Sequence, residues 1–427
     1  MRTGILVLLL LGSTVMANGD TLSLSIRWDN LTANATAQSV AIHRNRAIAG
    51  LTLNNNTEVS IRGYNATTGN LVWEDRFPGF APFGRGIFVE ASQDYAIALA
   101  SIPDPDIDHP KLFLRGYDLH SGAIRWTTAA QMFSPQNILI RNGKLVIVGY
   151  DGRPVPTDFV HGVLLVFDAS TGAFLWNAAL DIDGLQTEFW DVDDAGKNIV
   201  VVGTENTGLV PNLFVRSYRL RDGRLRWEVT EPTVFASVIR VQNDLAYVAG
   251  FEATSGGSNP TFLAAYRVGD GVRQWKAAGF SGFFTGPFTS LAASETAVIA
   301  GGFNLIEAHD PLTGSVLWSR VVPFPDEEVP RRLIPIGDRT VTVGTKAINP
   351  PGFDQQLVIR ILDAAGQVVA EDLREIGPFN SYFDAALLND RLAVVGRIGG
   401  IAGGALVRVY DIETQRATRW QDSFVSE

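Results

Sequence analysis

The stretch GYNATTGNLVW, Gly63–Trp73, has five close counterparts along the chain. They are GYDLHSGAIRW (Gly116–Trp126), VFDASTGAFLW (Val166–Trp176), SYRLRDGRLRW (Ser217–Trp227), AYRVGDGVRQW (Ala265–Trp275) and EAHDPLTGSVLW (Glu307–Trp318). In each copy a Gly stands four residues before the Trp: Gly69, Gly122, Gly172, Gly223, Gly271 and Gly314. The segment reads as strand, turn, strand. The Asp or Asn that opens most of these turns can bond its own downstream backbone, and the Gly accepts the left-handed conformation that closes the turn. The Trp begins the next strand, where a large flat side chain can fill the space between neighbouring sheets.

Two degenerate copies extend the series. LDAAGQVVA, Leu362–Ala370, has Ala370 in the Trp place, and VYDIETQRATRW, ending at Trp420, has Gln415 where Gly is expected. The marks at 73, 126, 176, 227, 275, 318, 370 and 420 lie 43 to 53 residues apart, so eight units fill the chain. Each unit reads as four short strands. In the third, Asn142-Gly143 divides two apolar runs, which is a strong hairpin signal because both turn positions need positive φ. No segment sustains a helical apolar period. Four-stranded units repeated radially are the β-propeller solution to exposed sheet edges. The expected fold is therefore an all-β, eight-bladed β-propeller of four-stranded antiparallel blades, with seven blades as the alternative. Leu22–Trp28 reads as a further outermost strand, in competition with a strand around Ala417–Phe424 for the last blade.

The repeat Asp-x-x-Thr-Gly-x-x-x-Trp resembles that of the pyrroloquinoline-quinone (PQQ)-like propellers, which include the quinoprotein alcohol dehydrogenases. The resemblance covers about residues 38–424 and implies that an N-terminal segment completes the last blade. It also raises two functional expectations, a PQQ- and Ca²⁺-dependent oxidoreductase or a non-catalytic binding scaffold. The alcohol dehydrogenases of this family carry a vicinal disulfide beneath the cofactor, and this chain has no Cys.

Composition narrows the field. The 427 residues include 42 Gly, 9 Trp and 24 Phe, with 19% charged and a formal charge of −10. A chain so rich in aromatics is not disordered. Its negative charge argues against nucleic acid as a partner, because phosphate binding needs a basic face. Residues 1–17, with Arg2, the apolar run Ile5–Leu11 and a small residue at Ala17, read as a signal peptide. The expectation is an exported, periplasmic or secreted, monomeric protein with one propeller domain over residues 18–427 and no transmembrane segment.

Within each unit the connections fall into two classes, tight hairpin turns on one face and long irregular loops on the other. Binding is expected on the long-loop face, around the channel mouth. Phe133, Phe189, Trp190, Phe235, Phe288 and Phe383 lead into the innermost strands and suggest an apolar collar there, or else packing between blades. Arg331-Arg332 is the paired basic element of these segments, read as an anion site or a salt-bridged turn. Two acidic clusters, Asp104/Asp106/Asp108 and Asp191/Asp193/Asp194, resemble Ca²⁺ loops without completing the pattern. No catalytic motif is present, and the five His residues show no metal-ligand spacing. The leading expectation is a non-catalytic propeller that binds a protein, peptide or small ligand. The alternatives are a quinoprotein oxidoreductase lacking the disulfide and a glycan-binding or glycan-cleaving propeller.

Overall fold

The computed structural model describes residues 21–54, 57–78, 86–102, 111–132, 134–152, 160–180, 185–206, 211–254, 259–280, 288–322, 328–348, 354–378, 381–399 and 403–415. The described residues form eight four-stranded antiparallel sheets and no helix. Seven sheets are continuous in sequence, over residues 35–78, 87–130, 134–180, 186–231, 234–276, 288–321 and 328–378, and are blades 1 to 7. Blade 8 combines residues 381–415 with the N-terminal strand Thr21–Thr32. The innermost strands of successive blades touch one another in an unbroken cycle, and that of blade 8 touches that of blade 1. This is the eight-bladed propeller expected from the repeat.

Blade 3 shows how local chemistry sets each sheet. Ser134–Arg141, Lys144–Asp151, His161–Asp168 and Phe174–Leu180 pair in that order. The first hairpin turns at Asn142 and Gly143, whose φ values are 49° and 71°. The second strand is covered on both faces and reads as a nearly continuous apolar run, whereas the outermost alternates with solvent.

The Trp residues are wedges between blades. Trp227 of blade 4 donates its indole N–H to the Val268 carbonyl of blade 5 at 2.7 Å, and its ring lies over Gly271. A Cβ at Gly271 would sit 2.6 Å from Trp227 Cε3, and its φ of 75° also disfavours any side chain. The same indole-to-carbonyl bond runs from Trp73 to Leu119, Trp126 to Ala169, Trp176 to Leu220 and Trp275 to Pro311. Each wedge therefore belongs to one blade and its Gly seat to the next.

Ring closure follows the same rule, and it settles which strand ends the last blade. Thr21–Thr32 pairs antiparallel with Gly404–Gln415 as the outermost strand. Trp28 takes the wedge position, bonding the Ala66 carbonyl at 3.0 Å and lying over Gly69. Trp420, which the repeat placed in the series of wedges, lies outside the described residues, and the seat in blade 1 is filled by Trp28. The pairing also explains the two defective repeats. Ala370 replaces the wedge of blade 7, and Gln415 replaces the seat of blade 8. They are the two halves of one seam, so a single interface lost both partners together. Opposite Ala370 stands Ile361, where blades 1 to 6 set Gly63, Gly116, Val166, Ser217, Ala265 and Ala308 opposite a Trp. The bulk missing from one strand is partly restored on its neighbour.

Much of the Arg content is absorbed by ion pairs toward the outside of the blades. Examples are Arg62–Glu74 at 2.8 Å, Arg115–Asp75 at 2.6 Å and Arg273–Glu231 at 2.7 Å.

Candidate functional site at the channel mouth

Seven of the eight innermost strands carry a β-bulge, and all seven fall near the strand's start, on the long-loop side. The skipped residues are Gln38, Gln136, Trp190, Ser237, Thr289, Arg331 and Phe383. A bulge re-aims one side chain and bends its strand. Here it depends on the adjoining second strand. Gly250 and Gly344 lie under the carbonyls of Phe235 and Val329, where any Cβ would overlap the oxygen. Glycines at these places let the inner backbone fold inward.

The bulged residues of blades 3 to 7 meet around one cavity of about 90 Å³. Its wall includes Gln136, Trp190, Ser237, Thr289 and Arg331, and the residues that follow each bulge, Asn137, Asp191, Val238, Ser290 and Arg332, line it too. Trp190 is anchored by its indole N–H to Thr204 Oγ1 at 2.9 Å and meets Phe235 edge-on, with ring centroids 5.5 Å apart. Phe235 in turn stacks on Phe251 at 5.2 Å.

Below the mouth lies a layer of charged residues that ties the blades together. Asp384 of blade 8 accepts from Ser39 Oγ at 2.9 Å and the Val40 amide at 3.1 Å, both of blade 1. It also accepts from Arg332 of blade 7, at 2.7 Å from Nη2. Asp191 of blade 4 accepts from the Ile239 amide at 3.0 Å and Arg240 Nη1 at 2.9 Å, both of blade 5, and from Asn137 of blade 3. Asp193 accepts from the Val241 amide at 2.7 Å. The innermost strand of each sheet is an edge with unpaired N–H groups, and these carboxylates satisfy some of them across the blade boundary.

Glu90, on the innermost strand of blade 2, faces this layer. Enclosure in the channel raises its pKa to about 7; the nearby Asp384 adds to the rise, while the Ala91 amide and Arg332 oppose it. In the unfolded chain the same carboxyl titrates near ~4.3. Between those values the folded protein holds a proton that the unfolded chain has released, so stability falls as pH rises toward 7 and is flat above it. Glu90→Gln imitates the protonated form. Its melting temperature is expected to match the wild type below about pH 4, under the unfolded-chain value, and exceed it at pH 8, which thermal scans at the two pH values would check.

The structure redistributes the residues singled out from sequence. Phe189 and Phe288 are buried in the cores between blades and do not face the mouth. Phe235 and Trp190 are half-buried and close together, and Trp190 alone of the two lines the cavity. Phe133 lies outside the described residues, and Phe383 is placed at the bulge of its strand. Arg331 and Arg332 are not in a turn: both lie on the strand Glu328–Ile336, Arg331 exposed at the bulge and Arg332 bound to Asp384. Asp191, Asp193 and Asp194 lie on the strand Gln186–Ala195 and are engaged by amides and Arg side chains, Arg141 among them. Asp104, Asp106 and Asp108 lie outside the described residues. The polar mouth residues Gln136, Ser237 and Thr289 were missed, because only the pairing register shows which residue a bulge turns inward.

A ring of four-stranded blades wedged by Trp on Gly, around a channel lined by bulged residues, defines the PQQ-like class of β-propeller. Within that class, residues 56–230 and 160–346 match the family model described as outer membrane protein assembly factor BamB, and the chain belongs to this family. Among solved structures it is similar to BamB from Moraxella catarrhalis, with 16% identity, a TM-score of 0.57 and coverage of 91% of this chain and 99% of that one. It is also similar to a europium-containing methanol dehydrogenase, with 11% identity, a TM-score of 0.57 and coverage of 91% and 93%. A third is the quinohemoprotein alcohol dehydrogenase of Comamonas testosteroni, with 12% identity, a TM-score of 0.55 and coverage of 91% and 76%. No curated protein matches the sequence.

The dehydrogenase likeness raises the question of a quinone with Ca²⁺. Ca²⁺ takes 6–8 oxygen ligands. The channel carboxylates are occupied by amides and guanidinium groups, and no three acidic or His side chains among the described residues are placed to hold a metal ion. The described residues do not fit that group.

Proposed function

We propose that the protein is an exported, non-catalytic propeller that binds another polypeptide through the long-loop face, at the channel mouth. The observation that carries this reading is a division of labour around one cavity. Asp191, Arg240 and Arg332 on its wall are consumed in holding the blades together, whereas Trp190, Ser237, Thr289 and Arg331 are presented to it. Groups spent on architecture are poor candidates for chemistry, and a polar, aromatic rim on a rigid ring is suited to recognition. Membership of the BamB family supports a protein partner. Residues 1–17 support export, and cleavage of that segment would leave one propeller domain. The reading is tested by photocrosslinking from position 289 in the exported fraction of the native host, where a discrete adduct is expected.

A further inference from the structure

Arg331 differs from the other guanidinium groups of the channel. Arg332, one residue on, is paired with Asp384, and Arg240 is paired with Asp191. Arg331 has no hydrogen bond or ion pair among the described residues, and its pKa is lowered by desolvation alone. It stands on the cavity wall with the Ser237 and Thr289 hydroxyls, which also have no partner there, and with the anchored ring of Trp190. Arg331 is exposed on the cavity wall and has no counter-charge among the described residues, so its guanidinium is open to an anion.

We propose that the channel mouth is a carboxylate-binding subsite in which Arg331 supplies the charge and Ser237 and Thr289 supply additional donors. The cavity of about 90 Å³ has room for a carboxylate beside these three side chains. The planar fork of an Arg side chain suits a carboxylate, which it can engage through two parallel hydrogen bonds. Asp191, on the same wall, is already neutralised by Arg240 at 2.9 Å. An acidic side chain or a chain-terminal carboxylate of a bound polypeptide meets these limits. This deepens the proposed binding function and rests on it for the polypeptide source, but not for the carboxylate chemistry.

The test uses the purified full-length chain, follows the indole N–H resonance of Trp190 by NMR, and titrates three probes. These are acetyl-Gly-Glu-Gly-amide, its neutral twin acetyl-Gly-Gln-Gly-amide, and sodium acetate. The acidic peptide is expected to shift the resonance saturably, and the neutral twin to bind at least about ten-fold more weakly, as loss of a charge-assisted bond requires. Arg331→Gln should weaken the acidic peptide by a similar factor, with the melting temperature unchanged. Arg331→Lys should fall between, and Arg226→Gln, on an outer strand, should change nothing. If acetate binds as well as the peptide, the subsite stands with a free small carboxylate as its source. If the peptide binds more tightly, the source is a polypeptide chain. Equal binding of the acidic and neutral peptides would overturn the proposal. So would full affinity in Arg331→Gln, or no saturable shift with either carboxylate. Failure of partner capture in the host would instead count against the polypeptide reading and leave these titrations standing.

Discussion

Trp227→Ala is expected to cost about 3–5 kcal/mol of stability, the range for removing a large buried aromatic. The indole fills the seam between blades 4 and 5 among Val200, Val215, Val248 and Tyr266, and satisfies the Val268 carbonyl at 2.7 Å. Both the transfer of the ring and the cavity it leaves contribute, and neighbouring strands held in ladders cannot collapse to fill the space. The seat should be as intolerant as the wedge. Gly271→Ala brings a Cβ to 2.6 Å from the Trp227 ring and forces a left-handed φ on a residue with a side chain. Because the two changes share one contact, their effects should be strongly non-additive. The double variant is expected to be clearly more stable than the sum of the singles allows. Chemical denaturation of the four proteins measures this. Simple additivity would mean that the ring does not use Trp227 as the wedge against Gly271.

Trp28→Ala is expected to be nearly as damaging, at about 3 kcal/mol, because Trp28 is only partly buried. Trp420→Ala is expected to cost clearly less, because the seat in blade 1 is already filled by Trp28. The contrast follows from the closure of the ring. The N-terminal strand carries Trp28 onto Gly69 and places Leu22, Leu24 and Ile26 on the core that blade 8 shares with blade 7. Comparison of denaturation midpoints for the two variants decides which end of the chain locks the ring. A large loss at Trp420 with a small one at Trp28 would reverse that assignment.

The fold was legible because its punctuation is chemical. A Gly that must be left-handed and a Trp that must find a seat recur at one spacing, and no other arrangement uses both six times over. The blade count and the antiparallel order followed from that pattern. The closing strand was read only as one of two candidates, because a strand completed by the other end of the chain has no local partner in sequence. The site was much less legible. Phe189, Phe235, Phe288 and Phe383 all lie about the same distance before a hairpin turn, yet they occupy three different registers. Phe189 and Phe288 stand immediately before the bulge, Phe235 two residues before it, and Phe383 at it. Side chains alternate faces along a strand, so a shift of one residue exchanges core for channel. The same uncounted residue hid Arg331 in what looked like a turn. The acidic run from Asp191 to Asp194 was read as a loop for the complementary reason: carboxylates on a strand are unexpected until the neighbouring blade supplies amides for them to accept.

Photocrosslinking at the channel mouth tests the binding role most directly. A benzophenone side chain at position 289 lies on the cavity wall, and one at position 226 lies on an exposed outer strand. A binding face at the mouth should give one discrete adduct from 289 in the exported fraction and none from 226, and Arg331→Gln should reduce the yield. Equal labelling from both positions, or none from 289, would contradict a binding function at the channel mouth.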